Sequence, residues 1–444
     1  MGPPLWQQLQ QVAGVLAAVR AGSSTTTALE AVDPALRPGV QALAFQALRW
    51  LGRGEGLRRH LAKRTPPPAP DALLCGALAL GWDAAHSPYE PFTLVDQTVE
   101  AAKRNPATRA QASFINACLR RFLRERDELV ALTDREPVAQ WNHPRWWIER
   151  LRRDHPQAWQ RILLADNAAA PLTLRINVRR TSVDQYLPAL AAMALPARRV
   201  ADSGLELARA RPVQQLPGFE AGEFSVQDAA AQLAAPLLLD GLQAASGGAL
   251  RVLDACAAPG GKTAHLLEHA GPGRLALTAL DIDAARCRRV DDTLARLGLA
   301  TGDVQVRVAD AARPAEWWDR QPFDAILLDA PCTASGIVRR HPDVRWLRRE
   351  GDVEQLALQQ AMLLAALWPL VRPGGRLLYC TCSVFRREGS EQIDAFLANN
   401  TDAQLLPSPG HLLPQNGAGR HGVADNALGE HDGFFYALLE KRRP

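Results

Sequence analysis

Apolar residues recur every three or four positions along the N-terminal part of the chain, which is the spacing of an amphipathic helix. The pattern runs through residues 5–64 and stops at the proline-rich stretch TPPPAP (65–70). It then resumes in three further segments, 71–83, 95–104 and 109–126. In the last of these, apolar side chains occupy one face and arginines the other. We predict an all-helical bundle with a basic outer face over residues 1–133.

A different pattern follows in the middle of the chain. Residues 141–159 predict a helix that begins after a His-Pro pair, and LTLRINVRR (172–180) alternates apolar and polar side chains as a strand does. The segment FSVQDAAAQLAAPLLL (224–239) predicts a connecting helix with Ser225 at its N-cap. A small α+β subdomain is therefore expected over residues 134–240.

From residue 250 the pattern alternates strand, glycine-rich turn and helix. Strands are predicted at ALRVLDAC (249–256), RLALTALDID (274–283), DVQVRVAD (303–310), FDAILLDA (323–330), GRLLYCTCS (375–383) and FFYALLEK (434–441). Such alternation indicates an open, mostly parallel sheet that binds its ligand at the carboxyl ends of the strands. We predict an α/β domain over residues 241–444.

Composition limits the class of protein. With 444 residues, 47% of them hydrophobic, the chain is long enough for about three packed domains. No apolar run approaches the roughly 18 residues of a membrane span, so a cytoplasmic protein is expected. The seven cysteines show no repeated pair spacing, which favours reduced thiols over a disulfide framework. A single C-x-C pair lacks the second ligand pair of a zinc site, so no metal is predicted.

The distribution of charge says more than its sum. The net charge is only +4, but basic residues are grouped in five short runs, 58–64, 119–126, 150–154, 178–180 and 338–349. Three of these runs have Phe or Trp close by. Nucleic acids are bound by cations that neutralise phosphates and by aromatic rings that stack on bases. Although any single run fits a solvated helix face, the grouping favours a nucleic-acid partner.

The turn LDACAAPGGKT (253–263) resembles a phosphate-binding loop without matching it. Its final GKT fits that motif, but Cys256 occupies the place of the first glycine, which disfavours an NTPase. What remains is a strand-to-helix turn, preceded by Asp254, whose glycines let backbone N–H groups approach a ligand closely. This stretch alone fits either a ligand-binding turn or a plain structural one.

Carboxylates at the ends of successive strands favour the ligand-binding alternative. Asp281 and Asp283 end the second strand of this domain, and Asp310 ends the third. A carboxylate in that place can accept hydrogen bonds from ribose hydroxyls. Each one taken singly fits a helix cap. Three successive strands that end in carboxylate beside a glycine turn suit an adenosine-bearing cofactor without phosphate.

Two cysteines follow the next two strands. Cys332 lies in DAPCTASG (329–336) and Cys382 in YCTCS, and neighbouring parallel strands would bring both to one cleft. Two thiols beside a cofactor pocket suggest covalent catalysis, in which a thiolate attacks an electron-poor ring. A group such as Lys262 would be needed to lower the pKa of that thiol. Cys380 is expected to pack on the opposite face.

Together these motifs resemble the S-adenosylmethionine-dependent RNA cytosine-5 methyltransferases of the Sun/Nop group. DACAAPGGKT, DAPC, RRHPD, TCS and DGFF occur in that family's order, and SFINACLRRF is similar to a NusB-type RNA-binding domain. Within the group, such a domain implies the bacterial enzymes that act on 16S rRNA. The resemblance implies a multidomain fold: a NusB-like all-α bundle, a small α+β subdomain, and a Rossmann-like methyltransferase domain with a mostly parallel seven-stranded sheet.

The resemblance also implies roles for individual residues. Cys382 would add to carbon 6 of cytosine, and Cys332 would assist the elimination that frees the product. Asp329 would hydrogen-bond the cytosine ring or the methionine end of the cofactor, and Lys262 would take part in catalysis. The basic segment RRHPDVRWLRR (339–349) would grip the RNA backbone. The implied cofactor site comprises Cys256, Ala257, Ala258, Pro259, Gly260, Gly261, Lys262, Asp281, Asp310 and Asp329.

The expected partner is 16S rRNA, either free of protein or in an early small-subunit particle, and nothing requires more than a monomer. Two alternatives stay open. One keeps the chemistry but changes the target to tRNA or to another rRNA cytosine. The other is a non-catalytic RNA-binding factor of ribosome assembly, against which the thiol pair Cys332 and Cys382 speaks, because a pure binding protein needs neither.

Overall fold

The N-terminal amphipathic segments form helices, as their apolar spacing predicts. The computed structural model describes residues 3–85, 87–244, 247–414 and 430–443. Its N-terminal helices are α1 (Leu5–Arg20), α2 (Thr25–Glu30), α3 (Arg37–Arg49), α4 (Leu51–Leu61), α5 (Pro68–Gly81), α6 (Pro91–Arg104), α7 (Ala112–Arg124), α8 (Arg126–Thr133), α9 (Pro137–Trp141), α10 (Arg145–Asp154) and α11 (Trp159–Asp166). The apolar faces of α1 to α8 form one core, in which Leu16, Leu48 and Ile115 have no exposed surface.

The chain divides into two units. The first unit contains the chain through Ala169 and, separately, Val338–Glu350, and the second contains the remainder. Helices α9 to α11 thus belong with the N-terminal helices. One reason is Asn142, which is fully buried and accepts a hydrogen bond from the backbone N–H of Arg53 at 2.9 Å. The unit boundary lies later in the chain than the domain boundary expected at residue 133, and the three-domain division stays a prediction.

An antiparallel sheet opens the second unit. It has the order β2-β3-β1-β4, with β1 (Leu172–Ile176), β2 (Ala197–Val200), β3 (Gly204–Leu207) and β4 (Phe224–Val226), accompanied by α12 (Val183–Ala192) and followed by α13 (Ala234–Leu239). Phe224 pairs with Ile176 across β4 and β1. The predicted helix start at Ser225 is therefore wrong, because this residue lies inside a strand whose backbone pairs with β1.

A seven-stranded sheet forms the rest of the second unit. Its elements are β5 (Leu250–Asp254), α14 (Gly261–Ala270), β6 (Leu275–Asp281), α15 (Ala284–Leu297), β7 (Val304–Val308), β8 (Phe323–Asp329), α17 (Glu350–Leu367), β9 (Val371–Thr381), α18 (Ser390–Asn399), β10 (Ala403–Leu412) and β11 (Phe434–Lys441), while the short helix α16 (Val344–Leu347) belongs to the first unit. The strand order is β10-β11-β9-β8-β5-β6-β7, and only the pairings of β11 are antiparallel. The predicted mostly parallel seven-stranded sheet is confirmed.

One strand of this sheet has no clear signal in the sequence. The edge strand β10 contains two prolines and a glycine, and its pairing with β11 shifts register between Leu406 and Gly410. Proline cannot donate a ladder hydrogen bond, so it is tolerated at an edge but obscures the strand pattern. The central strands are easier to recognise, because buried apolar cores cover both of their faces, with Leu327 on one side and Leu328 on the other.

Two side chains of the segment Val338–Glu350, those of Arg345 and Trp346, bond inside the first unit. Arg345 is fully buried, and its guanidinium donates to buried backbone oxygens that include that of Asn142 at 3.1 Å. The indole N–H of Trp346 donates to the backbone oxygen of Leu48 at 2.8 Å. The expectation that these two side chains contact RNA is wrong, because their polar groups are already bonded inside the first unit.

Candidate active site

The first part of the site is the turn between β5 and α14. It comprises Cys256, Ala257, Ala258, Pro259, Gly260 and Gly261, with a cis peptide bond between Ala258 and Pro259. Gly260 has a φ of +96°, and a side-chain carbon added there would lie 3.1 Å from the Cα of Val290. Only glycine adopts this backbone without strain and leaves that space. The local sequence therefore fixes the path of the turn.

A buried carboxylate holds the beginning and the end of this turn together. Asp254 ends β5 with no exposed surface, and its Oδ2 accepts a hydrogen bond from the hydroxyl of Thr263 at 2.7 Å. Burial raises the pKa of Asp254 to about 7, although the hydrogen bond from Thr263 acts in the opposite direction. Asp254 thus joins the two ends of the turn through its hydrogen bond with Thr263.

The carboxylates of the next two strand ends have different surroundings. Asp281, nearly buried, accepts a hydrogen bond from the N–H of Ala258 at 3.3 Å and so is joined to the turn. Asp283 caps α15 by accepting from two backbone N–H groups, which is a structural task. Asp310 is half-buried after β7 and lies 3.5 Å from the guanidinium of Arg313. Of the carboxylates expected to meet an adenosine, Asp281 is the one bonded to the turn.

Lys262 connects the turn to the neighbouring strand β8. Its Nζ lies 2.6 Å from Oδ2 of Asp329, and it also lies 5.5 Å from the centre of the Phe434 ring. Burial alone would lower the pKa of Lys262, but the charge of Asp329, its hydrogen bond to Lys262 and the nearby Cys380 and Tyr436 together raise that pKa well above its usual value. The ammonium group therefore stays charged, and Asp329 is its partner.

The two thiols expected at one cleft do meet. Strands β8 and β9 are parallel neighbours, with Asp329 opposite Cys380. Just beyond these positions, the Sγ atoms of Cys332 and Cys382 lie 3.4 Å apart. The hydrogen bond with Cys382, together with burial, raises the pKa of Cys332 well above its usual value. The two sulfurs therefore lie within hydrogen-bonding distance of each other at the carboxyl ends of neighbouring strands.

Cys380 was expected only to pack, and it is indeed fully buried. Its Sγ also lies 3.5 Å from Oδ1 of Asp329, whereas Lys262 contacts the other oxygen, Oδ2, of that carboxylate. Burial raises the pKa of Cys380 well above its usual value, so this thiol stays protonated. Cys380 therefore helps to fix the orientation of Asp329.

A buried polar network bonds the loops that carry the two thiols, and no sequence motif predicts it. Its centre is Glu388, which is fully buried and lies between the end of β9 at Thr381 and the start of α18 at Ser390. Its carboxylate accepts hydrogen bonds from Thr333, Ser383 and Gln360. An acidic residue in RREGSE would ordinarily be expected on the surface. Only the tertiary structure shows that it lies inside.

The DGFF motif (432–435), at the start of β11, lies next to the loops that carry Cys332 and Cys382. The N–H of Gly433 donates to the backbone oxygen of Gly336 at 2.8 Å, and the N–H of Gly336 donates to that of Cys382 at 2.9 Å. A side-chain carbon on Gly336 would lie 2.0 Å from the oxygen of Gly433. Both glycines are therefore needed for the close approach of these loops, and Phe434 reaches Lys262 as a result.

Comparison with known proteins shows the family to which the chain belongs. A model described as "16S rRNA methyltransferase RsmB/F" matches residues 244–440, and one described as "Methyltr_RsmF/B-like, ferredoxin-like domain" matches residues 143–214. A ribosomal RNA small subunit methyltransferase B from Pseudomonas putida is 41% identical over 97% of both chains. One from Xylella fastidiosa is 44% identical over 95% of this chain and 96% of its own. The chain belongs to this family of ribosomal RNA small subunit methyltransferases, RsmB.

Solved structures agree at the level of the fold. The crystal structure of PH0851 covers 98% of this chain and 99% of its own, with a TM-score of 0.73 and 24% identity. The crystal structure of NSun6 from Pyrococcus horikoshii with SFG covers 68% of this chain and 99% of its own, with a TM-score of 0.55 and 18% identity. The predicted membership of the Sun-type RNA methyltransferases is confirmed.

Two further properties bear on the candidate functions. Among the described residues, no cluster of three or more His, Cys, Asp or Glu side chains has the arrangement of a metal site. None of the helices that the structure describes combines the length and apolar character of a bilayer-crossing segment.

Proposed function

We propose that this RsmB-family chain transfers a methyl group from S-adenosylmethionine to carbon 5 of a cytosine in 16S rRNA, through a covalent adduct with Cys382. The observation that carries the proposal is the 3.4 Å separation of the Cys332 and Cys382 sulfurs at the carboxyl ends of parallel strands. Thiols are the side chains best suited to add to an electron-poor ring and to leave it again.

The residues present fit S-adenosylmethionine. This cofactor carries an adenosine without phosphate, and the turn 256–261 offers close backbone approach, while the nearly buried carboxylate of Asp281 joins that turn. Such a carboxylate accepts hydrogen bonds from ribose hydroxyls. Asp310 would face the adenine end, and Asp329, held by Lys262, would face the methionine end or the base. When bound, the cofactor supplies an electrophilic methyl group.

Covalent activation explains why a thiol is needed. Carbon 5 of cytosine is a poor nucleophile until a group adds at carbon 6. The Cys382 thiolate forms the sulfur–carbon 6 bond, and the electron pair of the ring double bond becomes available at carbon 5 to take the methyl group. Cys332 lies 3.4 Å from this sulfur and would stabilise the thiolate before the attack by donating a hydrogen bond.

Release reverses the addition. Carbon 5 loses its original proton to water, the ring double bond forms again, and the sulfur–carbon 6 bond breaks with its electrons returning to Cys382. Cys332 lies beside the bond that breaks, and we assign it to this elimination. Without that assistance the sulfur–carbon 6 bond would persist, and the enzyme would therefore remain attached to the RNA.

The nucleic-acid side of the proposal rests on the relatives and on the accessory regions. The curated relatives are named for the small ribosomal subunit. We propose a NusB-like RNA-binding bundle (1–133), an α+β RNA-binding subdomain (134–240) and a methyltransferase domain (241–444). The target base must leave its stack, at a cost of a few kcal/mol, which favours a loop or an opened helix.

The test is transfer of labelled methyl from S-adenosylmethionine to protein-free 16S rRNA, followed by mapping of the modified base. Production of 5-methylcytosine by the wild type and not by Cys382→Ala would support the reaction and the nucleophile together. Labelling of tRNA instead would keep the chemistry and overturn the substrate. Binding of RNA without any methyl transfer would favour a non-catalytic assembly factor.

A further inference from the structure

Glu388 lies at the junction of the two loops that carry the catalytic thiols. Its side chain has no exposed surface. One carboxylate oxygen, Oε1, accepts from the backbone N–H of Thr333 at 2.8 Å, and the other, Oε2, accepts from the hydroxyl of Ser383 at 2.6 Å. Thr333 directly follows Cys332, and Ser383 directly follows Cys382. A single carboxylate thus holds both thiol-bearing loops at the next residue along the chain.

Further hydrogen bonds fix the carboxylate itself. The side-chain N–H of Gln360 donates to Oε1 at 3.2 Å and to the backbone oxygen of Pro331, the residue before Cys332, at 2.9 Å. The hydroxyl of Tyr379 donates to the backbone oxygen of Glu388 at 2.8 Å. These contacts hold Glu388 from its own backbone and from α17. The carboxylate therefore forms part of a rigid support beneath the loops.

The hydrogen-bond donors suit an ionised carboxylate. Thr333 contributes its hydroxyl as well as its N–H, so four donors from three residues converge on the two oxygens of Glu388. Burial raises the pKa of Glu388, and the hydrogen bonds from Ser383 and Thr333 oppose that change. An acceptor-only group with four donors matches what a buried carboxylate needs.

We propose that Glu388 is a positioning residue for the methyl-transfer reaction, which fixes the separation and orientation of the Cys332 and Cys382 sulfurs without itself touching the substrate. This inference rests on the proposed function, because it assigns Glu388 to the same two thiols. A residue that only filled space would not need to bond the neighbours of both cysteines. Misplacement of reacting groups by about 1 Å can lower a rate by about 100-fold, so such support has a kinetic consequence.

The kinetic test compares Glu388→Ala and Glu388→Gln with wild type, with Glu391→Gln as the control, since Glu391 is an exposed glutamate at the start of α18. We expect kcat to fall about 100-fold in Glu388→Ala, with KM for S-adenosylmethionine and for RNA within about twofold of wild type. The amide in Glu388→Gln keeps two or more hydrogen bonds and should restore part of the loss, leaving kcat about tenfold below wild type. Rates are normalised to the amount of protein that binds cofactor.

A second readout needs no RNA and no methyl transfer. Diamide oxidises two adjacent thiols to a disulfide and is itself reduced to the hydrazine. Peptide mapping by mass spectrometry then follows formation of the Cys332–Cys382 crosslink. We expect crosslinking to be at least about fivefold slower in Glu388→Ala than in wild type and Glu391→Gln, because the thiols no longer share a fixed geometry. Cys332→Ala gives the background.

The outcomes separate the two proposals. If wild type makes no 5-methylcytosine but crosslinks fast and Glu388→Ala crosslinks slowly, the proposed reaction fails while the positioning role stands. If Glu388→Ala crosslinks like wild type, or keeps kcat within about twofold, Glu388 does not position the thiols. A parallel loss of cofactor affinity and kcat would assign Glu388 to general stability and would also overturn the inference.

Discussion

The cofactor turn and the thiol pair are built over very different distances along the chain. The turn 254–263 is one continuous stretch, in which Asp254 and Thr263 bond each other across the intervening residues. The thiol pair joins Cys332 and Cys382, fifty residues apart in sequence, through the pairing of β8 with β9. A local motif can shape its own backbone, whereas a long-range pair depends on the sheet and on the contacts that hold each loop.

This difference suggests what each region tolerates. Substitution in the turn would change the proposed cofactor surface, whose path is fixed by glycines and by a buried carboxylate. Substitution at the thiols would remove the proposed reacting atoms themselves. Lys262 belongs to both regions, since it begins in the turn and its charge meets Asp329 beside the thiols. The following predictions test this contrast in order of expected effect.

The largest effect is expected at the nucleophile. Cys382→Ala should abolish methyl transfer and leave S-adenosylmethionine binding unchanged, because the reacting sulfur is lost while the turn is intact. Labelled-methyl transfer and equilibrium binding of the cofactor measure the two properties. Cys118→Ala, which removes a buried thiol of α7, serves as the matched control and should remain active. Full activity of Cys382→Ala would remove the thiol from the mechanism.

The second effect concerns release. Cys332→Ala should form the adduct and then stall, since elimination loses the neighbouring sulfur. We expect a protein–RNA complex that survives denaturing gel electrophoresis, and turnover limited to one event per enzyme. The double variant Cys332→Ala/Cys382→Ala should show no complex. Normal turnover by Cys332→Ala without any adduct would contradict its assigned role.

The third effect tests the link between the regions. Lys262→Met should lower kcat by about 100-fold, because it removes the charged partner of the Asp329 carboxylate and leaves only the Cys380 thiol to orient it. Lys262→Arg keeps the charge and should retain more activity than Lys262→Met. Steady-state kinetics with both substrates measure the effect. Equal activity of the two variants would show that the ion pair does not contribute.

The smallest effect is a pH dependence within the turn. Folding raises the pKa of Asp254 to about 7, above the value of about 3.9 for a free aspartate. Between these values the unfolded chain has lost the proton that the folded state retains, so this group lowers the stability of the fold as the pH rises from about 4 to about 7.

The measurement is thermal unfolding between pH 5 and pH 8. This range ends about one pH unit above the pKa of Asp254 in the folded protein. Asp254→Asn keeps an acceptor for Thr263 but cannot ionise. The melting temperature of the variant minus that of the wild type should therefore increase as the pH rises towards the pKa of Asp254, and should stay constant above it. Glu391→Gln should follow the wild type. Parallel profiles for wild type and Asp254→Asn would contradict the prediction.

Sequence patterns predicted most of the fold but not the buried polar residues that hold the thiol loops in place. The helical bundle and the parallel strands were predictable because apolar spacing reports which face of an element is buried. Strand β10 escaped prediction because its prolines hide an edge strand, and Ser225 was misassigned because a short strand precedes the helix. Arg345 and Trp346 were assigned to RNA because charge alone does not show burial. Glu388 was missed for the same reason.

By itself, the sequence determined the family, the order of the elements and the path of the cofactor turn, because these depend on residues that are close together in the chain. The tertiary structure alone decided how close the two thiols lie, that Asp329 is the ionic partner of Lys262 and that Glu388 bonds both thiol-bearing loops. Distances such as 3.4 Å between Cys332 and Cys382 arise from strand pairing and buried hydrogen bonds. Those contacts join distant segments, so no local pattern records them.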